Sequence, residues 1–354
     1  MKTRTTRSLP RRYVAAGLLL LAAGFASAGA LIKREPRGLI EYTPPAGIAR
    51  LRADTIRLPA TASLLDFAGD SNDLYFVDGM ARNLVHVRRH AAGWKLHGVH
   101  SKRGEGPGEL RVPFSVALWS DTIVAVSDLD ELELFDRNGD HIMTARPNLP
   151  CGAGQVHLAT SNRVLFGSAN CIHGDTMAAT LFRYIDTRSA SRIVDEPRNS
   201  VSGRWGSMVA ALRSIGDDAR GVTFGTGRQP CVTRLGSNST QPARECWPLP
   251  AYRADVPPGF TKGAGRYAWP DTLPYYIDRI GSASGRVFLL RPFSADSGVI
   301  VAADESGGRP LMVVSLSAMI GCRALGCAWT AEQANTTFIQ LVPLARLDSL
   351  AAKR

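Results

Sequence analysis

Past residue 32 the chain has almost no helical periodicity. Only Trp205 to Ile215 spaces its apolar residues for a turn or two, so strands are left to build the body. There is no Gly-x-Ser-x-Gly elbow, and the serines carry no marker of an activating base, so nucleophilic hydrolysis has no signature here. Closely spaced Cys/His pairs are missing too: Cys322-x4-Cys327 has no nearby His and stands alone, which speaks against a zinc site. The basic excess is smaller than it looks. The formal charge is +11, and setting aside Lys2, Arg4, Arg7, Arg11 and Arg12 at the N-terminus leaves +6. That remainder reads as scattered, with no Lys/Arg stripe interleaved with aromatics, so no nucleic-acid partner is expected.

What is present begins with those five cations, which have no acid among them in the first twelve residues. Tyr13 to Ile32 follows as an uncharged, mostly apolar run. A basic n-region before an apolar segment is the pattern of an export signal, and Ala26-Ser27-Ala28 offers the small residues a signal peptidase needs. The run is also close to the ~20 residues that can span a bilayer, so residues 1–32 read as either a cleaved signal or an uncleaved anchor helix. No Cys directly follows it, which removes a lipid-anchored form. Residues 33–54, with Pro36, Pro44 and Pro45, read as a linker. The expected location is outside the cytoplasm: periplasmic, secreted or held to the membrane by that segment.

All six cysteines, Cys151, Cys171, Cys231, Cys246, Cys322 and Cys327, lie beyond the export segment. An even count in an exported chain points to structural disulfides. Pairing sequence neighbours gives 151 with 171, 231 with 246 and 322 with 327; closing a loop of about 15 residues contributes roughly 3 kcal/mol in the chain-entropy model.

From residue 55 the chain is a succession of short β runs separated by Gly, Asn, Asp and Ser turns. Leu74-Tyr75-Phe76-Val77-Asp78 and Ile123-Val124-Ala125-Val126-Ser127-Asp128 each follow a polar turn, and each is answered by a second alternating strand. Similar openings recur at Arg163, Gly221 and Arg286, with a fainter one at Cys327-Ala328-Trp329 answered by Phe338 to Val342. Spacings of about 40 to 65 residues fit four-stranded units with loops of variable length. The expected fold is all-β, a six-bladed β-propeller over residues 55–350, with Thr55 to Leu58 completing the blade that holds Phe338 to Val342.

The segment Gly104-Glu105-Gly106-Pro107-Gly108-Glu109-Leu110, then Pro113, Val126-Ser127-Asp128 and Leu134-Phe135-Asp136, resembles the NHL repeat. Together with Leu273-Pro274-Tyr275-Tyr276-Ile277-Asp278-Arg279-Ile280 leading into Gly285-Arg286-Val287-Phe288, it is similar to bacterial exported six-bladed propeller proteins related to NHL repeats. Leu110 stands where the repeat has Phe. The resemblance implies the fold and leaves the activity open, because propellers serve as scaffolds, receptors and lyases alike.

Candidate chemistry is sparse. The loop bearing Gly104, Gly106 and Gly108 opens into a strand rather than a helix, so it reads as a structural loop with glycines at positive φ, not a phosphate cradle. His86, His90, His97 and His100 lie within fifteen residues, but strand alternation would place only His86 and His90 together, so they read as surface histidines. Asp136-Arg137-Asn138-Gly139-Asp140 reads as a hairpin turn rather than a calcium loop. The segment around Arg266, Tyr267, Trp269, Tyr275 and Tyr276 concentrates aromatics in an irregular connection, where it either lines the channel mouth as a ligand site or plugs it. The expected function is a non-catalytic binding or scaffold role toward a peptide, glycan, small ligand or envelope protein, with no cofactor and no metal. The alternative is a metal-dependent, lactonase-like hydrolase or a lyase with its site at the axis.

Overall fold

The computed structural model describes residues 54–58, 62–150, 155–173, 176–195, 213–218, 221–226, 231–236, 239, 241–246, 261–262, 268–269, 279–283, 286–292, 297–304, 307–315, 319–333 and 336–352. Its first strand, β1 (Asp54–Leu58), belongs to the last sheet. The next four strands form an antiparallel sheet: β2 (Leu64–Gly69), β3 (Asp73–Asp78), β4 (Asn83–His90) and β5 (Gly93–His100). The same up-and-down order repeats in β6 (Pro113–Leu118), β7 (Ile123–Asp128), β8 (Glu131–Asp136) and β9 (His141–Ala145). It repeats again in β10 (His157–Ser161), β11 (Val164–His173), β12 (Thr176–Tyr184) and β13 (Ala190–Asp195).

A further sheet holds β14 (Arg213–Asp218), β15 (Gly221–Thr226), β16 (Cys231–Gly236) and β17 (Ala243–Cys246). The pair β18 (Thr261–Lys262) and β19 (Ala268–Trp269) runs parallel and stands apart. Then come β20 (Arg279–Ala283), β21 (Arg286–Pro292), β22 (Ser297–Asp304) and β23 (Gly307–Ser315). The last sheet takes β24 (Met319–Arg323), β25 (Gly326–Gln333) and β26 (Thr336–Pro343) and is completed by β1, which pairs antiparallel with β26 from Asp54↔Leu341 to Leu58↔Thr337. The first strands of successive four-stranded sheets touch in a closed cycle, β2 to β6 to β10 to β14 to β20 to β24 and back to β2.

This ring explains why the strands are apolar on both faces. In β3, Leu74 and Phe76 pack toward β26 and β1 with Ile56, Ile339 and Leu341. The alternate residues Tyr75 and Val77 pack on the other side with Val116, Val124, Val126 and Phe135 of the next sheet. Side chains two apart share a face, so a strand buried between two sheets must read as a continuous apolar run. The same sharing continues from β7 and β8 to β10 to β12, and from there to β15 and β16.

The recurring Asp that ends the second strand has a specific task. Asp78 Oδ1 accepts hydrogen bonds from Ser63 N at 3.3 Å, Met80 N at 2.9 Å and Ala81 N at 3.0 Å. Asp128 accepts from Arg111 N at 2.7 Å and Val112 N at 2.5 Å. Each carboxylate ties the chain entering the inner strand to the end of its neighbour, satisfying backbone donors that the ladder cannot reach. Register shifts sit opposite both carboxylates, between Leu64 and Asp66 and between Pro113 and Ser115, and a third lies on β24 between Met319 and Gly321.

The helix among the described residues, α1 (Leu344–Ala352), corrects the expectation that helical spacing beyond the export segment is confined to Trp205 to Ile215, most of which lies outside the described residues. It buries Leu344 and Leu347. Nine residues with two inward leucines are too short to stand out as a periodic pattern. No helix among the described residues is long and apolar enough to cross a membrane. Cys322 and Cys327 are joined by a disulfide across the β24–β25 turn. Cys171 is also disulfide-bonded, Cys231 and Cys246 are register partners on β16 and β17, and Cys151 lies outside the described residues.

Candidate functional site

At the ring's centre, inner strands of four sheets converge on one ion pair. Asp66 on β2 and Arg323 on β24 are both buried and meet through Asp66 Oδ2 and Arg323 Nη2. Arg323 Nε donates to Phe67 O at 3.0 Å and its Nη1 to Leu158 O at 2.8 Å. The guanidinium thus uses all three of its nitrogens on acceptors from β2 and β10. Ser115 on β6 donates its hydroxyl proton to the same Asp66 oxygen and accepts from Leu158 N at 2.9 Å. Val116 N adds a contact to that oxygen at 3.3 Å. Behind it, Ser127 Oγ accepts from Ser115 N at 3.1 Å and donates to Val156 O at 2.7 Å. A buried charge pair survives only when its remaining donors and acceptors are satisfied, and here they are.

A second polar cluster lies farther out, in the seam between the β2–β5 and β6–β9 sheets. It corrects the surface reading for His86, while His90 and His97 are exposed as expected. His86 is fully buried, its ring stacked on Tyr75 at 4.4 Å between centroids and met edge-on by His97 at 4.7 Å, with His100 at 5.6 Å. Simple alternation would have kept His97 away. A register shift pairs His86 with Gly98 but Val87 with Leu96, so one extra residue on β5 turns His97 back toward His86. His90, at the hairpin end, and His97 remain exposed, and His100 is half-buried.

Asp73 organises this seam. Its Oδ1 accepts from His86 Nε2 and Arg88 Nε, each at 2.7 Å, and its Oδ2 lies 3.3 Å from Arg137 Nη2. Arg137, from the neighbouring sheet, also pairs with Asp70, sits over the Tyr75 ring, and accepts the Tyr75 hydroxyl proton on its carbonyl at 2.6 Å. Burial works to raise the Asp73 carboxyl, but the hydrogen bonds from Arg88 and His86 outweigh it and hold the group below its ordinary value. Burial pushes His86 down to about 4 despite its bond to Asp73. With Nε2 facing Asp73, Nδ1 has no hydrogen-bond partner, so a proton there would be buried without an acceptor. His100 is lowered as well, by burial and by the charge of His97.

A pH dependence follows. Between pH 6.5 and 4 the unfolded chain takes up a proton at residue 86 that the folded chain refuses, so stability falls as pH falls through that window. Urea titrations are expected to show up to about 3 kcal/mol lost from this group. In His86→Gln that part of the slope is expected to vanish; an unchanged slope would show that the acid sensitivity arises elsewhere.

The glycine-rich loop is a structural device. Gly108 has φ +74°, and at Gly104 an added Cβ would meet the Glu109 carboxylate, which would have to move. Glu109 Oε2 accepts from Gly106 N at 3.0 Å, and Gly104 N and Leu110 N close the loop on Leu110 O and Lys102 O. The expectation of positive φ at all three glycines therefore holds at Gly108 alone. The nearby trio Glu133, His141 and Thr144 does not form a relay. His141 Nε2 faces both Glu133 (2.9 Å) and Thr144 Oγ1 (3.4 Å), so the same nitrogen would have to serve base and orienting acid. Asp136 to Asp140 is a hairpin turn, with Asp136 Oδ1 capping Asn138 N and Asp140 N. Among the described residues no group of three or more His, Cys, Asp or Glu is placed to hold a metal ion.

The expected ligand residues Arg266, Tyr267, Tyr275 and Tyr276 lie outside the described residues, and of Trp269 the structure gives only its backbone place in β19, paired with Lys262. Sequence reasoning missed both polar clusters, since Asp66 and Arg323 are 257 residues apart and neither sits in a motif.

No family model and no curated protein matches the chain. Solved structures do. A Bacteroides fragilis protein described as exported superimposes with a TM-score of 0.50 at 12% identity, covering 83% of this chain and 97% of that one. The fold is a β-propeller. A gluconolactonase from Xanthomonas campestris (TM-score 0.48, 9% identity, 82% and 88% covered) and the calcium-binding protein regucalcin from Agrobacterium tumefaciens (TM-score 0.46, 11% identity, 81% and 93% covered) are also similar. At these identities the likeness is one of fold. In propeller terms, the Asp66–Arg323 pair joins the inner strands of two adjacent blades and reaches a third at Leu158 O, and the histidine cluster lies at the seam between two blades.

Proposed function

We propose that this is a six-bladed propeller of the cell envelope, exported by its N-terminal segment, that binds or scaffolds a partner without chemistry of its own. The blade count is supported by the closed cycle of inner strands, and export by the basic and apolar residues 1–32 together with the disulfide. The observation that carries the non-catalytic reading is the occupied axis. A lactonase-like centre needs carboxylates and histidines from several blades free to hold a divalent cation. Here the axial carboxylate Asp66 is committed to a guanidinium, whose fixed positive charge opposes a cation at the same place. The surface left for recognition is the rim and mouths, including the aromatic segment at Arg266, Tyr267, Trp269, Tyr275 and Tyr276.

The test has two arms. Purified protein given a panel of lactones with calcium, manganese or zinc is expected to hydrolyse none above the metal-only background; metal-dependent turnover would replace this reading with the hydrolase. A pull-down from envelope extract is expected to retain a partner that the triple variant Trp269→Ala, Tyr275→Ala, Tyr276→Ala loses. Equal retention by the variant would move recognition away from that segment.

A further inference from the structure

The excess of positive charge, expected to be scattered, is concentrated in one element. Between Gly79 and Gly104 the chain has six Lys or Arg (Arg82, Arg88, Arg89, Lys95, Lys102 and Arg103), four His and no Asp or Glu. That run folds into β4, β5 and the loop beyond, the outer edge of the first blade. Arg88 is neutralised by Asp73 and Lys102 by Glu109. Arg89, Lys95 and Arg103 are exposed and, among the described residues, have no carboxylate within ion-pair distance, and Arg57 on the adjoining β1 is in the same state. Arg89 rests over Trp94, 5.6 Å from the ring centre, which holds its charge outward at the hairpin end. From Arg89 to Arg103 these cations follow the eight residues of β5, about 25 Å of edge. Unpaired backbone on an outermost strand invites pairing with other chains, and charge along such an edge discourages it, so protection of the edge accounts for one or two lysines. It does not account for a whole acid-free strand pair.

We propose that this edge of the first blade docks the propeller on an anionic phospholipid surface. The inference rests on the reading of residues 1–32 as a segment that reaches the membrane. β1 leads directly out of the linker from that segment and lies against β5, so the cationic edge is beside the point where the chain departs toward the bilayer. The linker adds Lys33, Arg34, Arg37, Arg50 and Arg52 against Glu35 and Glu41, extending the same sign of charge. Cations next to a membrane segment are drawn to acidic headgroups over roughly a Debye length.

The full-length chain is mixed with phosphatidylcholine vesicles and with vesicles containing about one-third phosphatidylglycerol, and amide hydrogen exchange is followed by peptide. Exchange across residues 89–103 is expected to slow about tenfold on the acidic vesicles only, and to recover in about 0.5 M salt. Lys95→Glu with Arg103→Glu is expected to abolish that protection without changing the melting temperature, because neither side chain has an ion-pair partner among the described residues. Protection of residues 13–32 reports the export segment separately, in both vesicle types. No protection of 89–103 on acidic vesicles, or equal protection on neutral ones, overturns the proposal whatever the export segment does. Protection by soluble polyglutamate but not by acidic vesicles overturns it in favour of an acidic polymer.

Discussion

A chain that begins at Pro59 is expected to lose cooperative folding. Such a truncation removes β1, leaving β26 with a bare edge and the last blade three-stranded. Ile56 and Leu58 are buried in the core shared with the first blade, against Leu74, Phe76, Val87 and Ile339. Burying two such side chains contributes about 3–6 kcal/mol, which is comparable with the whole stability of many domains. The loss also acts on topology. In this ring β1 is the piece that ties the N-terminal end of the chain to the C-terminal blade, and without it the circle is held by the contact between β24 and β2 and by what packing remains between β3 and β26. Thermal melts of chains starting at Gly47 and at Pro59 check this. The longer is expected to unfold in one sharp transition and the shorter to melt broadly or not express. A milder form, Ile56→Ala, is expected to cost about 2–5 kcal/mol. Equal melting of the two truncations would mean that closure does not depend on this strand.

That closure was legible in the sequence for a physical reason. Strands buried on both faces must be short apolar runs, so Leu74 to Asp78 and Ile123 to Asp128 announce themselves, and Asp78 and Asp128 mark their ends because each must cap the entering chain. Thr55 to Leu58 is then the early strand-like run placed to complete the blade that holds Phe338 to Val342. The functional clusters were not legible in the same way. Period-two reasoning separated His97 from His86 because nothing in the composition of β5 marks the extra residue that turns the strand over. Gly98 comes nearest to a signal: a Cβ there would press on the His100 ring at 2.9 Å, and a glycine inside a strand is where a bulge is to be looked for. The cationic edge was hidden differently. Counting charge over the whole chain averages an acid-free pair of strands against acid-rich turns elsewhere, and only the assignment of β4 and β5 to one blade edge shows that the cations lie along it.

Removing the axial guanidinium is expected to have the other large effect. In Arg323→Met, Asp66 keeps Ser115 Oγ and Val116 N but loses its cation, and the carbonyls of Phe67 and Leu158 lose their donor. Taking one partner from a buried pair leaves an uncompensated charge, at a cost of about 3–5 kcal/mol. Adding Asp66→Leu removes the stranded charge, and the double variant is expected to recover much of the loss, because a buried pair replaced by apolar groups is often close to neutral. Urea melts of the two single variants and the double close this thermodynamic cycle. A double variant as weak as the sum of the singles would mean that Asp66 and Arg323 act separately. Recovery of stability, with partner retention unchanged in the envelope pull-down, would identify the pair as the clasp that joins four inner strands and not as part of the recognition surface.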